Sequence, residues 1–193
     1  MATGDERFLV SGWDDDLQDY DVEQNPHATT RKEILWAAEK GNLDVVKKLV
    51  ELDPSLMSVV DSDGYSPLHR ACYNNNLDIV LYLLEHGADV SVKTLVQWQP
   101  LHSACQWNNH ACVSYLLQYG ADVNALTEGG QTPLHIAASN SRSHQTVQLL
   151  LMHPYIQPNI KNKVNETAYD IAKRSFKYYN MFDMVIPGSN NIS

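Results

Sequence analysis

The chain has 193 residues, 44% of them hydrophobic, and a net charge of −9. No run of about 18 apolar residues is present, which excludes a transmembrane helix. Residues 1–30 carry eight acids and one base, and residues 31–193 carry fifteen acids and thirteen bases. Neither part offers the basic face that phosphate contacts need, so direct nucleic-acid binding is disfavoured. The acidic start, Met1-Ala2-Thr3-Gly4-Asp5-Glu6, lacks the basic and apolar regions of a secretory signal. Three cysteines, Cys72, Cys105 and Cys112, form no even framework and read as free thiols of a reducing compartment. These features predict a protein of the nucleus and cytoplasm.

Residues 1–30 have no helical or strand periodicity and are expected to form an acidic, disordered N-terminal tail. Acids alternate there with Trp13, Leu17, Tyr20 and Val22, as in acidic-hydrophobic activation segments. A solubilising tail, or an arm folding back on a basic end of the scaffold, accounts for the same composition.

From residue 31 onward the text repeats. Pro67-Leu68-His69, Pro100-Leu101-His102 and Pro133-Leu134-His135 follow one another at intervals of 33 residues, the mark of a solenoid of stacked supersecondary units. Proline suits the first helical turn, and Ser66 or Thr132 before it can cap the helix. Gly41, Asn75 and Asn108 tolerate the left-handed conformation that ends a helix, so each first helix is short. Apolar residues then recur at helical spacing, as in Leu77, Val80, Leu81, Leu83 and Leu84, until Gly87 or Gly120.

Units are expected at 31–64, 65–97, 98–130 and 131–165, with a capping half-unit at 166–186 and a tail at 187–193. Leu35 replaces the histidine in the first unit, as suits a terminal repeat, and Pro54 should end its second helix near Asp53. Gln97 stands where Gly64 and Gly130 occupy the other fingers, which predicts a different turn there. Unit four carries one inserted residue between its helices and one at its exit. Lys173 to Ile186 can form the last second helix, with Phe176, Tyr179 and Met184 covering the final face.

These motifs resemble the ankyrin repeat, with its T-P-L-H-x-A-A opening, Leu-Leu helix end and Gly-Ala-Asp-Val-Asn exit. The resemblance implies an all-α ankyrin-repeat solenoid of helix-turn-helix units with β-hairpin fingers, and a non-catalytic protein-protein interaction scaffold. A narrower resemblance, carried by ILWAAEKGNL, LHSACQWNN, QLLLMHPYIQPNIKN and ETAYDIAKR, implies a nuclear adaptor of transcriptional regulation and germ-cell differentiation (spermatogenesis). A cytosolic scaffold or inhibitor that occludes its partner is the alternative within binding modules.

An enzyme or zinc reading starts from His69 with Cys72 and His102 with Cys105, each pair on one helical face. Pairs one period apart lie along a ladder, however, and do not converge on a tetrahedral centre. No phosphate loop, nucleophile elbow or H-E-x-x-H motif occurs. The chain is therefore expected to be no enzyme and to hold no cofactor or metal. In ankyrin units the finger tips and the exposed side of each first helix line a groove. Here those positions hold Asp63, Tyr65, Tyr73 and Asn74, then Leu95, Val96, Trp98, Gln106 and Trp107. Tyr and Trp are enriched among interface hot spots, which makes these the candidate partner-binding residues of a monomer with protein partners. The alternative is that Tyr73 and Trp107 support the stack. Lys161, Lys163, Lys173, Arg174 and Lys177 outnumber Glu166 and Asp170 and form a basic cluster suited to an acidic partner. Asn124 is similar to ankyrin sites of asparaginyl hydroxylation, although a finger asparagine that serves only its turn looks the same.

Overall fold

The computed structural model describes residues 27–175 and 177–184. Helices come in pairs: α1 (Thr30–Lys40) and α2 (Leu43–Leu52), α3 (Pro67–Tyr73) and α4 (Leu77–Glu85), α5 (Pro100–Gln106) and α6 (His110–Gln118), α7 (Pro133–Ser139) and α8 (His144–Leu151). A ninth, α9 (Ala168–Ser175), follows, and short 3₁₀ turns occupy Pro54–Ser58 and Tyr179–Met184. No helix among the described residues is long and apolar enough to cross a membrane.

Local chemistry fixes the ends of these helices. Ser66 and Thr132 hydroxyls accept from the His69 and His135 backbone N–H groups, and Pro67, Pro100 and Pro133 open their helices. Gly41, Asn75 and Asn108 adopt φ of 77°, 58° and 57°, closing the first helix of three units. α2 stops at Leu52 before Pro54.

Small residues let the first helices stack closely. Ala37 and Ala38, Ala71 and Cys72, Ala104 and Cys105, Ala137 and Ala138 are all inaccessible to solvent. Behind them the second helices bury Val46 and Leu49, Ile79 and Leu83, Val113 and Leu116, Val147 and Leu150. The result is a ribbon of core shared between neighbours, as in other repeat folds.

Polar ladders reinforce that ribbon. Asn76 Nδ2 donates to the Ala38 and Glu39 carbonyls at 2.8 Å each, and Asn109 Nδ2 repeats the bond one unit later with Cys72 and Tyr73. Carbonyls left open at a helix C-terminus are thereby satisfied by the next unit. In unit four the inserted residue shifts this pattern. Asn140 reaches the Gln106 carbonyl instead, and the buried Ser143 hydroxyl has no partner.

The fingers are hairpin-shaped turns without ladder strands; the one β-bridge among the described residues joins Lys161 and Thr167. Four share one hydrogen-bond scheme, closed by Asp61 and Tyr65, Thr94 and Trp98, Thr127 and Gln131, Asn162 and Glu166. The different turn expected at Gln97 is not formed. Gln97 takes φ 63°, beside Gly130 at 72°, because Thr94 Oγ1 and the Thr94 carbonyl hold the turn from both sides. One backbone bond then ties each finger to the next: Leu95 N–H to Asp63, Glu128 N–H to Val96, and Lys163 N–H to Gly129.

The last half-unit departs from expectation. Lys173 to Ser175 belong to α9, and Tyr179–Met184 form a 3₁₀ turn, not an α-helix, while residues 176, 185 and 186 lie outside the described residues. Phe182, fully buried and edge-on to Tyr169 at 5.8 Å, covers the final face. Tyr179 remains 41% exposed, while Phe176 and the Met184 side chain lie outside the described residues. Of the tails predicted at 1–30 and 187–193, residues 1–26 and 187–193 lie outside them, while Thr29 caps α1 and Thr30 opens it.

Candidate functional site

The histidine ladder is structural in its geometry. His69 Nδ1 accepts from the Ser66 N–H at 3.2 Å, which leaves Nε2 to donate to the Trp98 carbonyl at 3.1 Å. His102 does the same with the Gln99 N–H and the Ala125 carbonyl, and His135 with the Thr132 N–H and the Glu166 carbonyl. Both ring nitrogens are therefore occupied, and no lone pair points at a metal or a substrate. Burial holds His69 and His102 at about 4, well below the usual imidazole value, so the neutral form is fixed. Each ring fastens its own helix cap to the following finger. Burial also pushes the Cys105 thiol up, away from reactive thiolate character.

The groove between fingers and first helices is built differently. Arg70 fills the repeat position that faces the finger, and its guanidinium bonds Glu39 at 2.9 Å and Asp61 at 2.7 Å. The Asp61 side chain is only 5% exposed, so this bridge joins three parts of two units under cover. Sequence reasoning passed over it, although an arginine at the variable position of P-L-H-x-A was visible. The same guanidinium lies 6.0 Å from the Tyr65 ring. Burial, then Asp63 and Asp61, raises the Tyr65 phenol, and burial followed by Glu39 raises that of Tyr73.

The candidate residues divide into two groups. Tyr73 and Trp107 meet edge-on across two units at 4.9 Å, yet Trp107 stays 47% exposed. Leu95 and Val96, at the tip of the 94–98 finger, are 71% and 47% exposed. Such outward apolar side chains on a rigid turn form a surface that water solvates poorly. Trp98, by contrast, lends its carbonyl to His69 and its ring to His102 at 6.1 Å, so most of it serves the stack. Asn74 turns its amide onto the Arg70 carbonyl, and the Gln106 carbonyl receives Asn140. Asp63 lends its carbonyl to Leu95. Leu126, just before the 127–131 finger, is 49% exposed and was not singled out from the sequence.

Asn124 is engaged at both ends of its amide, donating to the Tyr155 carbonyl at 2.8 Å and accepting from the Gln157 N–H at 2.9 Å. It joins the exits of units three and four. In the basic cluster, Arg174 forms a bidentate pair with Glu166. Thr167 lowers Asp170 by hydrogen bonding, with Lys161 and Lys173 adding to the effect. A hollow of about 560 Å³ lies elsewhere, between α6 and α8. Leu117, Leu149 and Met152 line it with neutral amides.

Paired helices, imidazole-locked fingers and a groove with no reactive centre among the described residues define an ankyrin-repeat scaffold for protein recognition. A family profile described as ankyrin repeats (3 copies) matches residues 8–94 and 93–162. The chain is 49% identical to ankyrin repeat domain-containing protein 49 of Bos taurus, over all of this chain and 84% of that protein. For the Homo sapiens protein of that name the identity is 48% over the same shares, and for the Drosophila melanogaster one 48% over 91% and 82%. The chain belongs to the family of ankyrin repeat domain-containing protein 49.

Proposed function

We propose that this protein is a monomeric, non-catalytic adaptor that holds an extended segment of a partner protein in the groove beneath units two and three. The observation that carries this reading is the outward display of Leu95 and Val96 on a finger locked by backbone bonds and of Trp107 at the C-cap of α5. Rigid apolar anchors lose little entropy on binding, which is what hot-spot residues need. Asp63, Asn74 and Gln106 supply a polar rim around them. The adaptor works in the nucleus and cytoplasm, in transcriptional regulation during germ-cell differentiation. The narrower sequence resemblance supports that setting.

The test is crosslinked affinity purification of the wild type against a Leu95→Ser/Trp107→Ala variant with unchanged helical circular dichroism. Partner proteins should be lost from the variant, and they should include nuclear transcription regulators. Full retention of every partner would refute the groove reading. Partners confined to the cytosol would point instead to a scaffold or inhibitor that occludes one of them.

A further inference from the structure

Two thiols meet where unit two joins unit three. Cys72, next to last in α3, and Cys112, in the first turn of α6, are in hydrogen-bond contact sulfur to sulfur, and both are inaccessible to solvent. Cys112 Sγ also donates to Asn75 Oδ1 at 3.5 Å, and Asn109 Nδ2 holds the Cys72 carbonyl at 2.8 Å. Together these contacts fix the start of α6 against the end of α3, thiol on thiol.

The repeat does not require sulfur at either position. One unit on, Thr146 stands in the place of Cys112, and its hydroxyl makes the same rung by donating to Asn108 Oδ1 at 2.8 Å. Ala38 and Ala138 stand in the place of Cys72 in units one and four, and Ile79 in that of Cys112 in unit two. Cys105 occupies the Cys72 position of unit three, where the same register sets it opposite Thr146 and not opposite a thiol. Protonation also separates the pair. Burial holds the Cys72 thiol up as a proton donor, whereas the Cys72 S–H pulls Cys112 down against its own burial. Thiolate is the reactive form of cysteine, so Cys112 is the nucleophile and Cys72 the group placed to resolve its oxidised form.

We propose that Cys72 and Cys112 form a reversible disulfide across units two and three when the protein meets hydrogen peroxide, with Cys112 oxidised first. The Cys112 sulfur attacks one peroxide oxygen, the O–O bond breaks, and the departing hydroxide takes the Cys112 proton and leaves as water. Cys112 is then a sulfenic acid. The Cys72 sulfur attacks the Cys112 sulfur, the S–O bond breaks, and hydroxide takes the Cys72 proton and leaves as a second water. Two electrons pass from the sulfurs to the peroxide. Because both thiols are covered, the reaction runs through local opening of the join and is slower than at an exposed cysteine. The new bond ties α3 to α6 and so fixes to each other the two units that carry Leu95, Val96 and Trp107. It stands apart from the groove reading, since no partner takes part in it.

The experiment treats the dilute, folded full-length protein with hydrogen peroxide, for as long as the urea-unfolded chain needs to oxidise completely. Remaining thiols are then blocked with iodoacetamide in denaturant, and the unreduced digest of the monomer is mapped by mass spectrometry. A peptide linking Cys72 to Cys112 should be the main oxidised product and should disappear with dithiothreitol, while Cys105 is recovered alkylated. A Cys72→Ala variant installs the residue that units one and four carry there. With no resolving thiol, its Cys112 should take up the sulfenic-acid reagent dimedone several-fold more than in the wild type. Bonds to Cys105, disulfides only between molecules, three thiols still reduced, or dimedone on Cys105 in place of Cys112 would each overturn the proposal.

Discussion

Replacing Arg70 by leucine tests how units one and two are joined. The substitution removes a guanidinium that is almost covered and leaves the Asp61 carboxylate, 5% exposed at its side chain, without its cation. Breaking a buried pair from one side costs about 3–5 kcal/mol. Here Asp61 Oδ1 still accepts from the Asp63 and Tyr65 N–H groups, and Glu39 is 27% exposed and can rehydrate. Both lower the figure, to about 2–3 kcal/mol, or about 4–12 °C in melting temperature for a domain of this size. Adding Asp61→Asn removes the stranded charge while its amide oxygen can still accept from the two backbone donors. The double variant should therefore recover at least about half of the loss. Urea unfolding of the wild type, both single variants and the double variant gives the coupling directly. A single-variant loss below about 0.5 kcal/mol would show that solvent already screens the bridge and that packing alone joins the two units.

Other expectations follow from the ladders and turns. His69 and His102 are held neutral with values of about 4, against about 6.5 when unfolded. The unfolded chain therefore takes up protons first as pH falls. Stability they provide is complete above about pH 6.5 and is lost as pH drops toward 4, by on the order of 3 kcal/mol per ring. Proton NMR should find both imidazoles untitrated above pH 5, and ordinary titration near 6.5 in the folded protein would contradict the buried bonding. Gly64→Ala should cost at least about 2 kcal/mol, because φ is 89° and an added Cβ would stand 2.8 Å from Thr94 Cα. Gln97→Gly relieves a left-handed residue, and thermal melting should show it neutral to about 1 kcal/mol stabilising. Asn124→Ala removes two bonds between unit exits and should cost about 1–2 kcal/mol in denaturant unfolding.

The repeat itself was legible from spacing, since proline, small residues and left-handed asparagines act within a few positions of one another. Histidine roles were legible for the same reason: the Ser66 and Thr132 caps sit three residues away. What could not be read locally was settled across units. Gln97 has poor intrinsic preference for its turn, yet Thr94 and the neighbouring finger dictate the backbone, so tertiary bonds override propensity. Arg70 finds Glu39 31 residues away, a partner that no local pattern names. Trp98 and Trp107 look alike as exposed-position tryptophans, but only Trp107 leaves its face to solvent. The difference lies in long-range partners: the Trp98 carbonyl accepts from His69 and its ring packs against His102, whereas Trp107 remains 47% exposed. After Ser175 the helical spacing of apolar residues predicted an α-helix, whereas Tyr179–Met184 form a 3₁₀ turn that buries Phe182.

The bonds that join one finger to the next run from main chain to main chain. Side chains at the tips therefore contribute nothing to the spine that carries them. Substitution can rewrite Leu95, Val96 or Glu128, and so change what the surface recognises, while the pitch and spacing of the stack stay as they are. If the tips are the recognition surface proposed above, specificity and architecture vary separately, and a new partner is acquired one tip at a time.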